Sequence, residues 1–137
     1  MFIGVRNSTG APTNVEPNTL TQCVGVAQLS TSNNLHIVYG GSAAQTAIDL
    51  GANFPANTLS ADLYEIALFS SPMSGDVHWQ VTRLNTGHTA SGTITNSGAT
   101  VLPQSTTLLG IVAWRTNNAT ALAVGLDIVS HYVETDN

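Results

Sequence analysis

Between positions 76 and 82 the chain alternates strictly, with Val77, Trp79 and Val81 apolar and Asp76, His78, Gln80 and Thr82 polar. A period of two belongs to an extended strand with one face buried and the other wet, and no helix satisfies it. The rest of the chain follows the same grammar: short apolar segments rich in Val, Ile, Leu, Thr and aromatics, bounded by Gly, Asn, Ser and Pro. Residues 62–69 are, after the opening Asp62, apolar on both faces apart from Glu65, which predicts a central strand. Pro72 and Gly75 then predict a hairpin turn over 70–75. Residues 108–114 predict another strand, 115–120 a loop, and 121–133 a long last strand. In that last strand Leu122, Val124, Leu126, Ile128 and Tyr132 share one face, while Ala121, Ala123, Gly125, Asp127, Val129 and His131 share the other, so both faces need cover. Weaker strand signals fall at 23–29, 35–39, 46–50, 89–95 and 99–102. Within 42–50, Ala43, Ala47 and Leu50 recur at helical spacing, but Gly40, Gly41 and Gly51 bracket the segment, so a strand or a single turn competes equally. Eight or nine short strands with regular turn signals predict an all-β fold, an antiparallel β-sandwich or jelly roll.

The first twenty-odd residues differ. Asn7, Ser8, Thr9, Gly10, Pro12, Asn14, Pro17 and Asn18 leave little to bury, so this stretch cannot build a core of its own. The expectation is an extended N-terminal arm over 1–21 and a sandwich domain over 22–137. The arm would lie on another surface, a second copy of the chain included, through Phe2, Ile3, Val5, Arg6, Pro12, Val15 and Pro17.

Charge narrows the function classes. Charged residues are 8% of the 137, against roughly a quarter in ordinary soluble domains. The only basic residues are Arg6, Arg83 and Arg115, and the formal charge is -5. Nucleic acid is therefore not an expected partner, because counterion release needs clustered Lys and Arg. Thr, Ser and Asn supply roughly a third of the chain, which makes a polar but nearly uncharged surface. An apolar share of 42% is enough for a core and argues against disorder. Residues 1–6 lack the basic run and long apolar stretch of a signal peptide, and no segment stays apolar for the ~20 residues of a membrane helix. A soluble protein made in a cytoplasm, with no membrane partner, is expected.

Residues that carry chemistry are sparse. Cys23 is alone, which excludes an internal disulfide and a cysteine zinc site; it reads as a small buried apolar group. The histidines, His36, His78, His88 and His131, form no metal-ligand spacing, and His36 and His78 sit on strand faces as structural residues. No Gly-x-Ser-x-Gly turn, Asp-rich calcium run or phosphate loop is present. Glu65 and Asp127 are the carboxylates a glycosidase reading would use, although pairing with Arg83 or Arg115 across a sheet suits them better. Asn7-Ser8-Thr9 and Asn118-Ala119-Thr120 are formal glycosylation sequons in an Asn- and Thr-rich chain. Trp79 and Trp114 are the aromatics a sugar-stacking platform would use; both fall in register with apolar strand positions, which favours core packing. No cofactor is expected.

Several phrases carry a family resemblance. Phe54-Pro55-Ala56-Asn57-Thr58-Leu59 resembles a phrase that precedes a core strand in jelly-roll virion structural proteins of tailed bacteriophages. Gly75-Asp76-Val77-His78-Trp79-Gln80-Val81 resembles a hairpin of the same domains, and Asp127-Ile128-Val129-Ser130-His131-Tyr132-Val133 is similar to their terminal strand. Val5-Arg6-Asn7-Ser8-Thr9-Gly10-Ala11 is similar to the start of many phage structural proteins. One departure is Ser60-Ala61-Asp62, where a Lys-x-Gly-Asp turn is usual. The resemblance implies a non-enzymatic, homotrimeric knob on the outer head surface of a virion, a capsid decoration or cement protein partnered by the major capsid protein. The alternative is a receptor- or carbohydrate-binding knob of a tail fibre.

Overall fold

A computed structural model gives the chain's architecture, and the structure describes residues 1–8, 10, 14–56, 58, 61–117, 121 and 123–135. Eight strands occur among them: β1 (Phe2–Arg6), β2 (Cys23–Gln28), β3 (Leu35–Gly40), β4 (Ile48–Asp49), β5 (Tyr64–Ser70), β6 (Val77–Arg83), β7 (His88–Ile94) and β8 (Gly110–Trp114). They form two antiparallel sheets, a five-stranded one in the order β4-β3-β2-β1-β8 and a three-stranded one in the order β5-β6-β7. Their facing sides pack as a β-sandwich.

The alternating segment does what its period requires. Trp79 and Val81 on β6 point inward with Ile94 of β7 and meet Val24, Val26, Leu35 and Ile37 of the larger sheet. Phe54 and Leu102, from connecting segments, complete this core. Each such side chain stabilises the fold by about 1.5–3 kcal/mol when fully buried. The indole of Trp79 lies across Gly92 on β7, where an added Cβ would come within 2.6 Å of Trp79 Cζ2. Strand β2 is buried on both faces, so the larger sheet needs cover on its outer side as well. A second cluster of Phe2, Leu20, Cys23, Ala27, Leu29 and Val38 provides it, with Trp114 packed alongside.

That second cluster corrects the expected arm. Phe2–Arg6 is a strand flanked by ladders on both sides, pairing residue by residue with Cys23–Ala27 and Gly110–Trp114. Phe2 is 0% exposed. Its ring stands over Gly25, where a Cβ would lie 2.8 Å from Phe2 Cζ. Phe2, Ile3, Val5 and Arg6 therefore belong to the sandwich and are not an arm's contact residues. Pro17 is buried in a 3-10 turn (Pro17–Thr19) that sets Leu20 against the outer face, so this part of the stretch lies on its own sheet. Val15 is exposed, and Pro12 lies outside the described residues.

Other expectations also shift. The strand expected at 62–69 is found as β5, but at the edge of its sheet, with β6 in the centre. Phe69 is apolar yet faces outward, which is why both faces of β5 look buried in sequence. Residues 99–102 form a turn that receives the backbone N–H groups of Gly41 and Ser42 on Thr100 O and Ala99 O. The 42–50 segment holds no helix; Ile48–Asp49 pairs with β3, and Ala44 forms an isolated antiparallel bridge with Gly40. The described residues of 121–133 form no strand at all. Leu122 lies outside the described residues.

Candidate functional site

The hairpin register brings an aromatic pair to the outer face of the smaller sheet. Phe69 stands opposite His78, their rings stacked 6.2 Å apart at 25°. His78 opposes Thr93 in turn, and its Nδ1 lies 2.9 Å from Thr93 Oγ1. Phe69 is 60% exposed. Around this pair runs a shallow open depression of about 320 Å³, whose rim includes Ala67, Gln80 and Ser91. An exposed ring beside hydroxyl and amide groups can take the apolar face of a sugar and hydrogen-bond its edge. The hairpin count, 69 opposite 78 across the 71–76 turn, was the available sequence signal for this pair.

The two tryptophans expected to stack on sugar are placed elsewhere. Trp79 is only 8% exposed and belongs to the inner core; Trp114 is half-buried against the outer cluster. Their Nε1–H groups are shielded from solvent and have no partner among the described residues. Neither ring offers an open platform.

The ionisable groups mostly stabilise turns. Arg83 Nε donates to Asp62 Oδ1 at 2.7 Å, Asn85 Nδ2 donates to the same oxygen at 2.7 Å, and Arg83 Nη1 reaches Asn53 O at 3.3 Å. The hydrogen bond from Arg83 is the main reason that Asp62 is held below the usual carboxylate range. Asp49 is lowered chiefly by the Gly51 N–H, with Asn34 Nδ2 a further donor. Arg83 thus pairs with Asp62, not with Glu65 or Asp127. Glu65 lies exposed on β5 and Asp127 lies exposed in the last segment. His36, buried on β3, has Nδ1 3.0 Å from Asn34 O, and His88 Nδ1 lies 2.8 Å from Thr86 Oγ1. Among the described residues no group of three or more His, Cys, Asp or Glu comes together as a metal site. Cys23 is fully buried, and burial pushes its thiol up to about 11.

Comparison with protein-family models, curated proteins and solved structures finds no match. The surface of the chain is thus the remaining guide. Its second conspicuous feature is apolar. Strand β8 ends the larger sheet, and none of its residues joins the inner core between the sheets. Ile111 shares the inner face with Ile3, Val5, Val24 and Val26 yet is 50% exposed, and Leu108 just ahead of it is 91% exposed. Beyond β8, Val124, Ile128, Val129, Tyr132 and Val133 are also exposed. The PANTL phrase is described only in part: Phe54 enters the core and Pro55 O accepts from Tyr64 Oη at 2.7 Å, while Asn57, Leu59 and Ser60 lie outside the described residues. Sequon positions Thr9 and 118–120 lie outside them too. Among the described residues no helix is long and apolar enough to cross a membrane.

Proposed function

We propose that the chain is a non-enzymatic structural protein of a tailed-phage virion, a jelly-roll-like homotrimeric knob that decorates or cements the outer head shell. Its partners are the major capsid protein and copies of itself. The observation that carries this reading is the set of exposed apolar side chains at Leu108, Ile111 and within 124–133, on a chain with few charged residues. Contiguous exposed apolar surface on a folded domain marks a contact surface. Thr and Asn lose less side-chain entropy than Lys when packed into a lattice, which suits the composition. The hairpin phrase over 75–81, which resembles one in phage virion proteins, supports the reading.

The test is co-sedimentation of the purified chain with head shells of the encoding phage that lack it. Saturable binding to shells and none to tails supports decoration; binding to tails alone, or to neither, overturns it. A second reading, a receptor- or carbohydrate-binding tail-fibre knob, is favoured by one feature, the Phe69–His78 pair in its shallow depression. Glycan-array binding that Phe69→Ala abolishes without changing the melt would support that reading.

A further inference from the structure

The last segment and the free edge of β8 have complementary needs. Over 123–133 the side chains alternate as a strand's do, with Val124, Ile128 and Tyr132 on one side and Val129 and Val133 on the other. These five are 42–83% exposed, and the described residues of the segment join no ladder. A long hydrogen bond, Arg115 Nη1 to Gly125 O at 3.5 Å, ties it to the end of β8. Strand β8, for its part, pairs on one side only, with β1. Among the described residues no strand pairs with its other side, whose backbone groups are a template for one more strand.

Apolar cover decides which copy of the segment fits. Added to the β8 edge, any strand continues the larger sheet beyond the reach of the three-stranded one. Ile111 is already half-exposed there for want of a roof. A chain that folded its own last segment onto β8 would therefore leave Val124 and Ile128, or Val129 and Val133, still facing water. A second molecule closes that face. Charge agrees: Arg83 is held by Asp62, whereas Arg6 and Arg115, at opposite ends of the β1–β8 pair, form no ion pair among the described residues. The segment brings Asp127, and Glu134 follows it directly.

We infer that residues 123–133 of one copy add as a strand to the free edge of β8 in a second copy and cover Ile111 and Leu108 there. This rests on the reading of the chain as self-assembling and names the surface that does it. Donation from copy to copy closes as a reciprocal exchange between two copies or as a larger ring, or runs on as a filament. The experiment is sedimentation velocity with amide hydrogen exchange on three full-length or truncated forms: the natural chain, a chain ending at Asn117, and Val124→Asp/Ile128→Asp. The natural chain should sediment as an oligomer with 123–133 protected. Both variants should fall to the mass of a single chain and retain the cooperative melt of the sandwich. A monomeric natural chain, with or without protected 123–133, overturns the inference, and so does an oligomer of unchanged mass in both variants. An oligomer that depends on this segment but binds no head shell would leave strand donation standing and remove the virion reading alone.

Discussion

Replacing Phe2 by Ala separates a core strand from a docking arm. Phe2 is fully buried, stands over Gly25 and lies in register with Ala27 and Trp114. Truncating a buried Phe to Ala costs about 3–5 kcal/mol, from lost transfer energy and the cavity left behind. Unfolding entropy of about 2.1 cal/mol/K per residue makes the whole chain's entropy roughly 0.29 kcal/mol/K, so the melting temperature should drop by about 10–17 °C. Against a typical stability of about 5–15 kcal/mol, that is a large fraction. The assay is a far-UV circular dichroism melt, backed by urea unfolding with an unchanged slope. Val15→Ala, at an exposed position of the same N-terminal stretch, should change stability by no more than about 0.5 kcal/mol. A Phe2→Ala shift below about 3 °C, equivalent to less than about 1 kcal/mol, would refute the placement of Phe2–Arg6 between β2 and β8.

Further outcomes follow from the same packing. Gly92→Ala drives a Cβ against Trp79 and should cost about 1–3 kcal/mol, read from the same melts. Deleting residues 1–18 removes β1 and should yield no cooperative melt, whereas an arm would be dispensable. Cys23, buried and with its thiol raised to about 11, should stay unreactive toward a thiol reagent in the folded chain and react once urea unfolds it. Asp62 is lowered in the folded chain, so its contribution is present above the unfolded carboxylate value of about 3.9 and is lost as pH falls through the lower folded value. The melting temperature of the natural chain should therefore fall more steeply on acidification below about pH 4 than that of Asp62→Asn, and parallel curves would contradict the role of the Arg83 bond.

Legibility tracked how much of a strand's face the core consumes. β6 is readable because its period of two is uninterrupted over 76–82 and the face that carries Trp79 and Val81 turns into the core. β5 was readable as a strand but not as an edge, since Phe69 finds its partner, His78, on the outer surface, and an apolar residue in sequence does not declare which neighbour it stacks on. β1 was hidden by Gly4 and Arg6 and by the polar residues after it. What makes it a strand is long-range, namely ladders to β2 and β8 and the space over Gly25. The expected strand at 121–133 shows the converse: its alternation is strong, yet local pattern does not supply the pairing edge. At the candidate site the alternation of β6 turns Trp79 inside, whereas the exposure of Phe69 beside His78 depends on the pairing of β5 with β6, which no local pattern displays. The Asp62–Arg83 bond, 21 residues apart, had no local signature.

The proposed virion role is tested most directly by the copy number of this chain, from quantitative mass spectrometry against the major capsid protein, in purified particles of a tailed phage that carries its gene. Under that proposal the copy number scales with the major capsid protein, as a decoration of the whole head surface requires. A copy number that scales with a tail-fibre protein, or absence from the particle, would contradict it.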